Sequence, residues 1–337
     1  MLVVSAADPS RRELALRLLF ARFPVEEQAA RLRETLLAAE RGSLNLDGLL
    51  LAAKRESSER ASRLAPTNAA PANEDLPVGA ALVMHQSDGI ALVWPPIVSC
   101  GADDETAVED ALMSELCRLI DATDARLAQA LLTPDDVVES KLLERHGFTH
   151  GADLFFLART REPADAQLVT SGSALEPRLA QHAVTIETWS DDNVERFATV
   201  IEKSYQHSLD CPDLKDFRSG AEALASHKLP GVFDPHLWLL FTMDGRDAGL
   251  LLLNEHPDQN TIELVYMGVV PELRGKNLGR AMLRHGLQLA TQRSRAAMFL
   301  AVDCQNRYAN AVYAEFSFVE LARRRVLLRH RVPSARQ

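Results

Sequence analysis

Apolar runs of strand length alternate with amphipathic runs of helix length from one end of the chain to the other. In the C-terminal half, residues 182–188 predict a strand and 191–205 a helix, with Ser190 or Asp191 as its cap. Residues 237–243 and 248–254 are apolar strands joined by the turn Asp244-Gly245-Arg246. A strand over 261–269, a helix over 278–292, a strand over 298–303, a helix from Asn306 and final strands within 319–328 complete the pattern. The N-terminal half runs in the same order. It has a strand at 2–5, helices at 9–22 and from 25 to 40, and strands at 46–54, 79–85 and 90–98, the last two joined by the turn Gln86-Ser87-Asp88-Gly89. A helix at 106–120, a strand at 128–132, a helix at 135–144 and a strand at 153–158 follow. Two halves with one order of elements predict an internal repeat.

Composition fits two domains. The chain has 337 residues, of which 47% are hydrophobic, enough for two separate cores. The segment 161–181, with Pro163, Ser171-Gly172-Ser173 and Pro177, is the expected linker between domains at 1–160 and 182–337, and the polar stretch 56–75 is an expected loop. Cys100, Cys117, Cys211 and Cys304 lack metal or C-x-x-C spacing and imply a reducing compartment. With no signal peptide and no membrane-length apolar run, the expected location is the cytoplasm, with no membrane partner. His207 and Cys211 beside Asp210 and Asp213 lack a fourth well-spaced ligand, so no metal is expected. The run Arg323-Arg324-Arg325 with Arg329 sits in a chain of formal charge -10, which argues against nucleic acid.

That acidity isolates one basic loop. After the strand at 261–269 come Pro271 and Arg274-Gly275-Lys276-Asn277-Leu278-Gly279, opening into a helix at Arg280. A glycine-bearing loop at a helix N-terminus offers free N–H groups and the positive end of the helix dipole to an anion such as a phosphate. The loop carries neither the G-x-G-x-x-G of a dinucleotide fold nor a Walker A sequence. Alone, it is equally an ordinary basic turn.

The loop resembles motif A of the GNAT (Gcn5-related N-acetyltransferase) superfamily, Arg/Gln-x-x-Gly-x-Gly/Ala. Arg274 and Gly279 match, and Asn277 replaces the first glycine; Asn is a residue that tolerates a left-handed backbone. A second signature, N-x-x-A-x-x-x-Y-x-x-x-G-F, is met by Asn306, Ala309, Tyr313 and Phe318, with Ser317 in the glycine position. The resemblance covers nearly all of residues 182–332. It implies an α/β chain of two tandem GNAT-like domains, each a mixed, mostly antiparallel sheet flanked by helices. It also implies acetyl-CoA as cosubstrate, without a metal. The pyrophosphate would lie on Arg274, Gly275, Lys276, Asn277, Leu278, Gly279 and Arg280. Pantetheine would meet Asn306, and backbone N–H groups at Met267, Gly268 and Val269 would meet the acyl oxygen. Tyr313 would protonate the leaving thiolate; its competing reading is a core aromatic.

The best base is Glu263, a carboxylate in an otherwise apolar strand, placed like the strand glutamate of histone-acetyltransferase GNATs; its competing reading is an outward-facing residue. Tyr266 has the opposite strand parity, so it joins the Glu263 face only across a bulge. The N-terminal half aligns Leu143 with Tyr313 and Asp136 with Asn306. It carries the acidic Asp103-Asp104-Glu105 where the other half is basic, so it reads as a degenerate copy. The expected reaction is acetyl transfer to a small-molecule or peptide amine; the rival is a non-catalytic acyl-CoA-binding or sensor protein. The acceptor is expected over residues 205–236, with Asp210, Asp213, Asp216 and Glu222 available for an ammonium and Phe217, Phe233 and Trp238 for an apolar portion.

Overall fold

The computed structural model describes residues 1–54, 76–86, 88–99, 104–165, 179, 181–212 and 218–331. Outside them lie Ser87, the 56–75 loop, most of the expected linker, Cys100, Asp103, and the acceptor-side candidates Asp213, Asp216 and Phe217. The chain divides into two compact units, Met1–His150 with Val326–Gln337, and Gly151–Arg325.

The first unit runs β1 (Leu2–Ala6), α1 (Arg12–Phe20), α2 (Val25–Glu40), β2 (Leu49–Lys54), β3 (Leu76–His85), β4 (Ile90–Val98), α3 (Glu105–Asp121), β5 (Leu127–Leu132) and α4 (Val137–Arg145). β1 to β4 pair antiparallel in order, and β5 joins β4 in parallel. Helix α3 starts where the Asp104 side chain accepts the Ala107 N–H at 3.0 Å. Its face Val108, Leu112, Met113 and Leu116 is buried against the sheet.

The second unit holds β6 (Thr149–Thr160) from residue 151 on, then β7 (Val184–Thr188), α5 (Val194–Tyr205), α6 (Gly220–His227), β8 (Val232–Met243), β9 (Arg246–His256), β10 (Thr261–Val269), α7 (Leu278–Gln292), β11 (Ala297–Asp303), α8 (Arg307–Glu315) and the first part of β12 (Val319–His330). Its strand order is β6-β11-β10-β9-β8-β7. Asp244 and Gly245 both take positive φ, 53° and 75°, as a two-residue hairpin turn requires. Residues 237–243 of β8 and 248–255 of β9 are buried on both faces.

Each unit repeats the other's order and pairing senses, including the parallel fourth-to-fifth strand step. Gly79 and Gly249 occupy matching rungs, opposite Val98 and Val269. A Cβ at either would press on a carbonyl oxygen across the ladder, that of Ile97 or of Gly268, and on the helix above. Both units also close their last helix alike. Gly147 (φ 84°) and Ser317 (φ 62°) are left-handed, and Phe148 and Phe318 donate N–H bonds to Leu143 and Tyr313.

The unit boundaries differ from those expected at 160 and 182. Residues 154–160 of β6 pair antiparallel with β11, so they belong to the second unit. The end of β12 belongs to the first, where Leu327 is fully buried in the core and Arg329 makes a bidentate pair with Asp121 at 2.8 Å. A local pattern cannot show which sheet a terminal strand joins. Helix α6 was absent from the expected elements. Its signal was the capping box Ser219-x-x-Glu222, in which Glu222 Oε2 accepts the Ser219 N–H at 2.8 Å.

Candidate functional site

β10 and β11 pair only over Thr261–Glu263 with Ala297–Phe299; beyond that rung β10 continues to Val269 and β11 to Asp303 without pairing to each other. The β11-facing edge of Met267, Gly268 and Val269 therefore has no strand partner, and polar backbone in such a gap calls for a ligand. On the other side the same residues pair normally with Leu251, Leu250 and Gly249. The register shifts between Leu264 and Tyr266, so Val265 is a bulge. Glu263 then lies opposite Asn254 and Tyr266 opposite Leu252, two residues apart on β9, which places Glu263 and Tyr266 on one face of the sheet.

The loop before α7 is shaped for close approach. Gly275 (φ 76°) and Asn277 (φ 64°) are both left-handed, so Asn277 keeps the conformation that the missing glycine would supply. A Cβ at Gly275 or Gly279 would meet nothing within 4 Å. The cations are more committed than the sequence suggested. Arg274 donates to the carbonyls of Val269 (3.0 Å), His207 (3.2 Å) and Ser204 (2.8 Å), stapling the end of α5 to the exit of β10. Arg280 pairs with Glu315 at 2.7 Å and reaches Asn277 Oδ1 at 3.2 Å. An anion at this loop would therefore meet backbone N–H groups and Lys276 more than these two guanidinium groups.

Tyr313 projects from α8 into the core, 6% exposed, its ring against Phe318. Burial, and then the charge of Asp210, hold its phenol above the ordinary tyrosine value, so it stays protonated at neutral pH. Asn306 is the N-cap of α8, accepting the Ala309 N–H at 3.2 Å, and it also hydrogen-bonds Asp210. Asp210 accepts the Asp303 N–H at 2.9 Å, while Asp303 accepts the Cys211 N–H at 3.2 Å. Crowding strips water from the Asp210 carboxyl and raises its pKa, although the residue keeps a solvent face; the nearby charge of Asp303 adds to this. Residues 204–211 therefore run from the Arg274 staple to the end of β11.

On the Glu263 face, the Tyr266 hydroxyl lies 2.6 Å from Ser204 Oγ, and its ring meets Tyr205 and His227. Burial pushes the Tyr266 phenol up and the His227 imidazole down to about 3. Glu263 has a partner on the neighbouring strand β9: its Oε2 lies 2.8 Å from His256 Nε2. Sequence reading missed His256. The short connection from 257 to 260, which sets His256 opposite Thr261, was the available signal.

Several acceptor-side candidates have structural partners. Glu222 closes the α6 capping box, and Trp238 is fully buried with its indole N–H on Asn254 Oδ1 at 2.9 Å. Phe233 packs edge-on to Trp238 and Trp189, under the Lys228 ammonium. Arg323, Arg325 and Arg329 pair with Glu320, Asp153 and Asp121. Among the described residues no group of metal-ligating side chains gathers, and no helix is long and apolar enough to cross a membrane.

Comparison with known proteins agrees with this geometry. Residues 204–318 match the Acetyltransferase (GNAT) family. A mycothiol acetyltransferase of Kocuria rhizophila is 28% identical over 77% of this chain and 83% of its own length. That of Clavibacter sepedonicus is 29% identical over 74% and 76%. Among solved structures, a GCN5-related N-acetyltransferase from Sphaerobacter thermophilus shares the fold at TM-score 0.61 and 18% identity, covering 100% of this chain and 98% of that one. A tandem GNAT protein from the clavulanic acid biosynthesis pathway does so at 0.50 and 14%, covering 99% of each. The splayed β10–β11 pair and the left-handed turn into α7 thus lie within the segment that matches the Acetyltransferase (GNAT) family, and the two copies of one fold are shared with a tandem GNAT structure.

Proposed function

We propose that the second unit transfers an acetyl group from acetyl-CoA directly to a primary amine. The observation that carries this reading is the open rung after Glu263 and Phe299, with β10 leading on into the left-handed turn that starts α7. Backbone N–H groups at Gly275–Arg280 hold the pyrophosphate, and Met267–Val269 polarise the acyl carbonyl. Glu263 takes a proton from the acceptor ammonium, and the neutral amine then attacks. The carbon–sulfur bond breaks as the amide forms, and Tyr313 gives its proton to the thiolate. The phenolate is reprotonated by the second proton leaving nitrogen, so each turnover releases one proton to solvent.

The first unit is a degenerate copy with a structural role. At the strand position equivalent to Tyr266–Met267 it carries Pro95 and Pro96, which have no N–H to offer an acyl group. Leu143 stands in place of Tyr313. Cys117, Cys211 and Cys304 are thiols and not disulfides, which fits a reducing location, the cytoplasm.

One observation favours the binding-only reading: Arg274 and Arg280 are both engaged within the protein. Thiol release from acetyl-CoA separates the two. The acceptor panel is the amine used by the mycothiol acetyltransferases, glucosamine, aspartate and short peptides. Turnover with any of them supports transfer; tight acetyl-CoA binding without turnover across the panel supports a sensor.

A further inference from the structure

The Glu263 carboxylate is held asymmetrically. Its Oε2 lies 2.8 Å from His256 Nε2, while among the described residues no partner bonds Oε1. Both side chains are about one-fifth exposed, so the pair borders solvent without being immersed in it. The imidazole has little freedom. Its ring packs against Phe299, the residue paired with Glu263 across β11, at 5.2 Å between centroids. On another side Gly231, left-handed at φ 66°, makes room for it: a Cβ there would sit 2.8 Å from His256 Nε2 and 2.6 Å from the Glu255 carbonyl oxygen.

From this geometry we infer that His256 is a positioning residue, donating its Nε2–H to Oε2 and leaving Oε1 aimed at the acceptor's proton. The inference rests on the reading of Glu263 as base. A flexible glutamate samples many rotamers, and a misplacement of about 1 Å at a reacting group can cost about 10²-fold in rate. Here one hydrogen bond, one ring contact and one glycine slot fix the imidazole, and the imidazole fixes the carboxylate. Glu263 sits on the last rung where β10 and β11 are still paired, the rigid edge of the gap, on the face that Tyr266 shares. His256 takes no proton from substrate; it removes rotamer entropy from the group that does.

The test is steady-state acetyl transfer with the acceptor panel above for wild type, His256→Ala, His256→Gln, Glu263→Gln and the double variant His256→Ala/Glu263→Gln. Acetyl-CoA affinity by calorimetry shows that each variant keeps its fold. His256→Ala should lower kcat by about 10- to 100-fold with acetyl-CoA affinity unchanged. His256→Gln, whose amide N–H can still reach Oε2, should recover most of the rate. The double variant should be no slower than Glu263→Gln, because His256 acts through that carboxylate. A slow Glu263→Gln with a wild-type His256→Ala overturns the positioning role alone. So does an equal loss from His256→Ala in both backgrounds. A wild-type rate for Glu263→Gln removes the base and its positioning residue together.

Discussion

Replacing His227 by Phe should flatten the acid limb of this protein's stability. His227 ends α6 with its ring tilted over Tyr266, 5.3 Å between centroids. Part of the ring edge reaches solvent, but Nε2 is shielded and has no hydrogen-bond partner among the described residues. Charging that ring would bury an N–H with nothing to receive it, and the positive charge of Arg218 opposes it further. Burial first, and Arg218 second, hold the imidazole at about 3 against an ordinary 6.5. The folded pKa is depressed. The stabilisation is therefore complete above the unfolded value of 6.5 and is lost as pH falls from there toward 3. Between pH 7.5 and 5 the wild type should lose about 2 kcal/mol through this group. Phe keeps an aromatic ring against Tyr266 and does not titrate. The assay is denaturant unfolding of both proteins at the two pH values, following the transition of the second unit. The wild-type loss should exceed that of His227→Phe by about 2 kcal/mol. Equal losses would mean that the imidazole is solvated in the folded state or charges without penalty.

Four further outcomes are expected. Tyr313→Phe should lower kcat by about 10²–10⁴-fold while leaving acetyl-CoA affinity unchanged, since in the proposed mechanism the hydroxyl acts only as the thiolate departs; an unmoved kcat would make Tyr313 a core aromatic. Gly268→Ala would bring a Cβ within 2.5 Å of the Tyr266 hydroxyl and 2.8 Å of Ser204 Oγ, so it should split that hydrogen bond and destabilise the fold by about 1–3 kcal/mol, read by thermal melting. Ser317→Gly should raise stability by about 1 kcal/mol, because a left-handed φ of 62° costs serine what it does not cost glycine. Calorimetry on the full chain should find one acetyl-CoA site, and a second site would refute the degenerate first copy. The full chain is the right object, since a fragment ending near 160 would lack Leu327 of the first unit's core.

The chain's own pattern carried the repeat, most elements, the α7 loop and Tyr313. These are local properties: a strand's apolar run, a glycine or asparagine where φ must be positive, a tyrosine at helical spacing from a cap. β10 lies at the expected residues, Thr261–Val269, and Asn277 is left-handed as its residue type allows. Pairing decided the rest. Where β10 parts from β11, that Val265 bulges and so turns Tyr266 onto the Glu263 face, and that β6 and the end of β12 join units other than those their sequence positions suggest, are all questions of register. Register depends on residues tens to hundreds of positions away. The same holds for electrostatics. Arg274, Arg280 and Glu263 look free in sequence, because the carbonyls of Ser204 and His207, Glu315 and His256 that hold them are brought in only by folding. Sequence set which chemistry the chain possesses; tertiary structure set which of those groups remain available to a substrate.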